Sequence, residues 1–72
     1  MWEECNNFES SNIQSFRYNS EDRILEVTFN TNTVYQYDNV HPTFFEHFKA
    51  SDSKGKFFSA KIKGCFSYKR TV

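Results

Sequence analysis

The segment from Arg23 to Asn30 constrains the fold more than any other, because from Leu25 onward its side chains alternate between apolar and polar. Leu25, Val27 and Phe29 fall on one face, and Glu26, Thr28 and Asn30 fall on the other. This alternation indicates a β-strand with one buried side, and a buried side has to be covered by another layer of structure. The chain has 72 residues in which to build that layer, and it contains no apolar run of the roughly 20 residues that span a membrane.

The flanking segments extend this strand into a sheet. Ile13–Tyr18 and Thr33–Asp38 are rich in β-branched and aromatic residues, which favour strands. The alternation in Ile13–Tyr18 is imperfect, as at a β-bulge. The polar segments Asn19–Asp22 and Asn30–Asn32 have the composition of tight turns. We therefore predict a three-stranded antiparallel meander.

Two short helices are expected after the meander. Pro42 suits the first helical turn, and three phenylalanines follow at helical spacing, namely Phe44, Phe45 and Phe48. Ser53 suits the N-cap of a second helix, whose apolar positions and stop are Phe57, Phe58, Ile62 and Gly64. Residues 65–72 form an extended tail, which leaves a further strand open. The predicted class is α+β, with both helices packed on one face of the sheet, residues 1–10 as a partly ordered preamble and residues 11–72 as the domain.

Aromatic residues are expected to form most of the hydrophobic core, since 19% of the chain is Phe, Tyr or Trp. A domain this small buries only about 60% of the surface of its unfolded chain, so large side chains have to supply the stability. Cys5 and Cys65 lie far apart and form no metal-binding motif, and no apolar leader opens the chain. We expect reduced cysteines, no metal or other cofactor, and a cytoplasmic location, with His41 and His47 as surface or capping residues.

The net charge of zero conceals a strong asymmetry. Residues 1–48 hold two arginines against eight carboxylates, and residues 49–72 hold seven lysines and arginines against one carboxylate. One interpretation is a basic surface that attracts phosphates. The other is that the two parts neutralise each other within the fold or between copies of the chain.

Three groups of residues are candidates for binding. Tyr35 and Tyr37 share one face of a strand, where they either stack bases or cover the core. The turn that contains Lys54, Gly55 and Lys56 either receives an anion or only caps a helix. The third group lies on the second helix and the tail and consists of Lys61, Lys63, Lys69 and Arg70, with Tyr68 beside them. These cations are either solvated side chains or parts of a binding surface interleaved with aromatic residues.

A family resemblance spans nearly the whole chain, roughly residues 10–70. Its motifs are Ser11-Asn12-Ile13, Tyr18, Leu25-x-Val27-x-Phe29, Val34-Tyr35-Gln36-Tyr37, Val40-His41-Pro42, Ala50-Ser51-Asp52-Ser53-Lys54-Gly55-Lys56-Phe57-Phe58 and Ile62-Lys63-Gly64. This pattern resembles the KTSC domain, which is named for its occurrence at the C-terminus of some lysyl-tRNA synthetases and also occurs as small stand-alone proteins. The resemblance implies a domain without enzymatic activity, for which RNA binding has been suggested.

The leading hypothesis is a non-enzymatic module that binds RNA or another phosphate-bearing partner. Its cations would contact phosphates, while Tyr35, Tyr37 or Tyr68 would stack. One alternative is a protein-interaction or inhibitory module, self-associating in one version, that uses Trp2 and the acidic N-terminal residues. The other is capture of a small nucleotide by the turn around Gly55. No arrangement of Ser, Cys, His and carboxylate residues indicates catalysis, and no membrane partner is expected.

Overall fold

The structure is a computed structural model that describes residues 1–72. Five strands form one sheet in the order in which they occur along the chain, and every neighbouring pair is antiparallel. The strands are β1 (Trp2–Cys5), β2 (Ile13–Asn19), β3 (Ile24–Phe29), β4 (Val34–Tyr37) and β5 (Tyr68–Arg70). The helices are α1 (Pro42–Ala50) and α2 (Lys54–Phe57), and a π-helical turn at Phe58–Ile62 continues α2. The predicted α+β class is confirmed.

The sheet has two strands more than the predicted meander, one at each edge. β1 lies within the segment for which the sequence predicts only partial order, and it pairs with β2 from Trp2↔Asn19 to Cys5↔Phe16. β5 pairs with β4, so the extended tail forms a further strand. Neither edge strand carries apolar alternation, because most of its side chains are exposed. An edge strand is held by one neighbour and needs no buried face of its own.

The turns and caps follow the expected chemistry. The register of β2 against β3 shifts between Ile13 and Ser15, at the predicted bulge. Asn32 has a φ of 67° in the β3–β4 turn, a left-handed conformation that asparagine tolerates. The Nδ1 atom of His41 caps α1 by accepting from the Thr43 N–H at 3.1 Å. The Oγ atom of Ser53 caps α2 in the same way, through the Lys56 N–H.

Aromatic stacking joins the helices to the sheet. The Phe16 ring on β2 stacks on Phe48 of α1 with centroids 3.9 Å apart, and Tyr18 stacks on Phe45 at 4.9 Å. Eleven residues are buried, and all of them are apolar or aromatic. The Tyr18 hydroxyl donates to the main-chain oxygen of Val40. Without this bond the buried hydroxyl would lack a hydrogen-bond partner.

The helices cover only one face of the sheet and leave part of that face open near β5. Successive side chains of a strand point to opposite faces. The register therefore places Leu25, Tyr37 and Tyr68 in one row on the helix side. Leu25 and Tyr37 are buried, whereas Tyr68 at the end of the row is 59% exposed. The uncovered end of this face is the region in which most of the predicted tyrosines meet.

Candidate nucleic-acid interface

A groove about 540 Å³ in volume lies between the β3–β5 end of the sheet and the segment from Phe58 to Gly64. Five aromatic side chains line it and form a closed ring of neighbours, with successive centroids 5.3 to 5.7 Å apart. In order around the ring they are Phe29, Tyr35, Tyr68, Tyr37 and Phe58. The remaining lining residues are Asn12, Thr31, Thr33, Ser59, Lys63 and Gly64, so the lining includes no carboxylate. We call this hollow the aromatic groove.

Strand pairing brings the three tyrosines together. Tyr35 and Tyr37 lie two residues apart on β4 and so share a face. β5 pairs with β4 in the register Tyr37↔Tyr68, which carries a tyrosine from the C-terminal tail onto the same face. The Tyr68 ring then lies 5.6 Å from Tyr35 and 5.7 Å from Tyr37. The sequence predicts all three residues as binding candidates, and the structure joins them in one hollow.

The three tyrosines differ in burial and in the state of their hydroxyls. Tyr37 is only 3% exposed, Tyr35 is half-buried and Tyr68 is exposed. Of the four tyrosines in the chain, only Tyr18 donates its hydroxyl to a protein acceptor. Burial, with a smaller contribution from Tyr35 and Tyr68, raises the pKa of Tyr37 to about 12. Tyr37 thus serves the core as well as the groove, while Tyr35 and Tyr68 offer ring surface to a ligand.

The cations of the C-terminal third fall into two classes. Lys49 is ion-paired, with its Nζ atom 2.6 Å from Glu3 and 3.3 Å from Glu46. These pairs raise the pKa of Lys49. The other six form no salt bridge with any carboxylate. They are the six predicted phosphate contacts, Lys54, Lys56, Lys61, Lys63, Lys69 and Arg70. Carboxylates of residues 1–48 therefore pair with one of the seven cations of residues 49–72.

Two of these six cations flank the aromatic groove. Lys63 is one of its lining residues. Arg70 lies opposite Tyr35 in the β4–β5 register, on the groove side of the sheet, and its Nε atom donates to the main-chain oxygen of Val72 at 2.8 Å. Lys69 alternates with these residues and faces the opposite side of the sheet. Lys61 lines neither the groove nor the hollow beside it.

A second, more polar hollow of about 830 Å³ adjoins the groove and contains the predicted turn residues Lys54, Gly55 and Lys56. On a regular helix Lys54 and Lys61 would share one side and Lys56 the other. The structure instead places Lys54 and Lys56 in the lining of the same hollow, and the π-helical turn changes the helical spacing only after Phe57. Glu9 and Asp52 line it as well, so its charges balance. We call this hollow the serine shelf, after its other lining residues Ser10, Ser11, Ser53 and Ser59.

Several side chains that the nucleotide-capture and protein-interaction hypotheses would use already make contacts within the protein. The Lys54 Nζ atom donates to the main-chain oxygen of Ser51 at 2.7 Å, and Ser53 serves as a helix cap. At the N-terminus, Glu3 binds Lys49, and the Trp2 ring lies 4.1 Å beneath the Arg17 guanidinium. The shelf and the N-terminal strand are therefore less free for a partner than the aromatic groove.

Sequence reasoning missed seven of the eleven residues that line the groove, namely Asn12, Phe29, Thr31, Thr33, Phe58, Ser59 and Gly64. Periodicity in the sequence predicts Phe29 and Phe58 as core residues, and Phe58 is indeed buried. Asn12 and Ser59 are exposed polar residues that line both the groove and the serine shelf. No pattern in the sequence indicates this junction, because it arises where the chain before β2 passes beside the π-helical turn.

Three further observations concern the cysteines, metal binding and the helices. Cys5 and Cys65 are free thiols. No three side chains among His, Cys, Asp and Glu are grouped so that they could hold a metal ion. None of the helices has the length and apolar character needed to cross a membrane.

The fold and the groove define a small α+β domain with helices on one face of an antiparallel sheet and an aromatic hollow at one end. The model of the KTSC domain family matches residues 9–66. The chain belongs to this family, as the resemblance in its sequence predicts.

Relatives and a solved structure agree with this assignment. The lysine–tRNA ligase of Trichormus variabilis is 37% identical over 62 residues, which cover 86% of this chain but only 11% of the ligase. An uncharacterized protein of Stutzerimonas stutzeri is 34% identical over 55 residues, covering 76% of this chain and 78% of that protein. The crystal structure of a KTSC domain protein from Yersinia pestis superposes with a TM-score of 0.92, at 32% identity and with full coverage of both chains.

Proposed function

We propose that this protein is a non-enzymatic module that binds single-stranded RNA in the aromatic groove. The observation that supports this most directly is the ring of five aromatic side chains, which is open to solvent at Tyr68 and has no carboxylate in its lining. Unpaired bases stack on aromatic side chains, and each such stack contributes about 1–3 kcal/mol.

The surroundings of the groove suit a phosphate backbone. Lys63 and Arg70 flank the aromatic ring, and neither forms a salt bridge. A cation already paired with a side-chain carboxylate would have to break that pair to bind a phosphate. Neither of these two has such a pair, and Arg70 makes only the bond from its Nε atom to Val72. The context of the lysine–tRNA ligases, which carry a similar segment, agrees with an RNA ligand.

A duplex fits this groove less well than a single strand. The rings available for stacking lie within a hollow between the sheet and the Phe58–Gly64 segment. Bases paired in a helix present only their edges to a protein, and single-stranded bases can be splayed out to stack. We therefore expect unpaired loops or ends as ligands.

Removal of one exposed ring tests the proposal. Tyr68→Ala should weaken the binding of a labelled single-stranded RNA of about eight nucleotides by roughly 5- to 150-fold, which corresponds to one lost stack. Fluorescence anisotropy measures the dissociation constant. Trp2→Ala is the matched control, since Trp2 is also exposed but lies on the strand at the other edge of the sheet.

Salt dependence gives a second arm of the same experiment. Each phosphate contact with a single strand contributes about −0.7 to the slope of log K against log salt. Lys63→Ala combined with Arg70→Ala should make the slope shallower by about 1.4, whereas Lys49→Ala should leave it unchanged. The proposal fails if affinity is equal at low and high salt, or if Tyr68→Ala binds as tightly as the unmodified protein.

A further inference from the structure

The backbone of Asn12 is fixed, but its side chain is free. The Asn12 N–H donates to the Oγ atom of Ser10 at 3.2 Å, and its carbonyl accepts from the Asn30 N–H at 2.9 Å. Asn30 also donates its side-chain Nδ2 to the Ser10 carbonyl at 3.1 Å. These bonds join the segment before β2 to the β3–β4 turn. The side-chain amide of Asn12 takes part in none of them.

The position of Asn12 matters because this residue lines the aromatic groove and the serine shelf at once. A ring stacked within the groove presents its polar edge outward, toward whatever side chains lie around the aromatic ring. An amide offers both a donor and an acceptor in one plane. Asparagine uses this pair to bind the donor and acceptor edge of adenine.

We propose that Asn12 selects the base held in the aromatic groove, with adenine as the preferred base. This rests on the proposed RNA-binding function and names the residue that would give the site its specificity. Stacking on tyrosine and phenylalanine is tolerant of sequence, because every base has an aromatic face. Discrimination between bases has to come from hydrogen bonds at the edge, and the side chain of Asn12 makes none within the protein.

Asn12→Ala provides a clean test, since every hydrogen bond by which Asn12 holds the fold comes from its main chain. Anisotropy is measured with single-stranded homo-oligomers of adenine, cytosine and uracil, about eight nucleotides long. We expect the unmodified protein to prefer the adenine oligomer about tenfold over cytosine, and Asn12→Ala to bring that ratio to within about twofold. Asn12→Asp should shift the preference toward cytosine, whose amino group a carboxylate accepts.

Asn7→Ala is the matched control, because Asn7 is an exposed asparagine that lines neither hollow; it should keep the preference. If the unmodified protein binds and Asn12→Ala retains the same ratio, the assignment of Asn12 is wrong while RNA binding stands. A protein that binds all three oligomers equally also overturns the assignment. If none of the oligomers binds, the RNA-binding function itself fails, and the role of Asn12 fails with it.

Discussion

At the scale of single residues, Tyr37 shows how one side chain serves both stability and a candidate site. Its ring contacts Phe58 in the core and Tyr68 in the groove. Its pKa is raised to about 12, chiefly by burial. A buried phenol resists ionisation because the charged form would lose its hydration. The free energy of unfolding therefore depends on pH in the alkaline range.

The sign of that dependence follows from the two states. In the unfolded chain a tyrosine loses its proton near pH 10, and in the folded protein Tyr37 keeps it to about pH 12. The stabilisation is therefore complete below about pH 10 and is lost as pH rises to about 12. Tyr37→Phe has no proton to lose, so its unfolding free energy should decline less across this range. Urea unfolding near pH 8 and near pH 11 measures the difference, and an equal decline in both proteins would contradict it.

At the scale of elements, the edge strand β1 depends on side-chain contacts more than on burial. Glu3 reaches Lys49 on α1, and Arg17 on β2 covers the Trp2 ring. Each contact is partly exposed, and pairs of this kind contribute about 0.2–1 kcal/mol. β1 should therefore open locally while the central strands remain intact.

Lys49→Met tests this dependence, since it removes the charge and keeps an apolar stem of similar length. We expect faster hydrogen exchange at the amides of residues 2–5, with little change in β2, β3 and β4. The free energy of global unfolding should fall by less than about 1 kcal/mol. Lys61→Met is the control, because Lys61 forms no salt bridge. Uniform acceleration of exchange across the sheet would show that Lys49 supports the whole fold instead.

The elements also show what could be predicted from the sequence. Leu25 and Val27 are buried on one side, so alternation in the sequence predicts their strand. Pro42 and Ser53 predict where both helices begin. β1 left no such pattern, because three of its four side chains are exposed. In the site, Tyr35 and Tyr37 could be predicted from their spacing. Asn12 could not, because its place beside the groove depends on how distant segments pack.

At the scale of the whole molecule, the two edge strands of the sheet carry charges of opposite sign. β1 carries Glu3 and Glu4, and β5 carries Lys69 and Arg70. An open strand edge can pair with another copy of itself, and charged side chains discourage this. Two β5 edges placed together would bring cations side by side, and two β1 edges would do the same with carboxylates.

Neutral side chains on β5 should weaken this protection. We expect Lys69→Thr combined with Arg70→Thr to self-associate in a concentration-dependent way through the β5 edge, while the unmodified protein stays less associated under the same conditions. Threonine favours strands, so the edge keeps its conformation and loses only its charge. Sedimentation velocity over a range of concentrations measures the association. Lys54→Thr combined with Lys56→Thr removes the same charge away from the edge and should not associate.

The stacking of Trp2 under Arg17 has a practical consequence for anyone who studies this protein by spectroscopy. Trp2 is the sole indole in the chain, and it lies on one margin of the sheet, far in strand order from the tyrosines around the groove. Indole emission thus reports the detachment of a margin, whereas phenol absorbance reports the three groove tyrosines together with Tyr18, which lies on β2 beside that margin. Melting curves recorded with the two chromophores describe different parts of the molecule, and only their coincidence would justify treating denaturation as a single step.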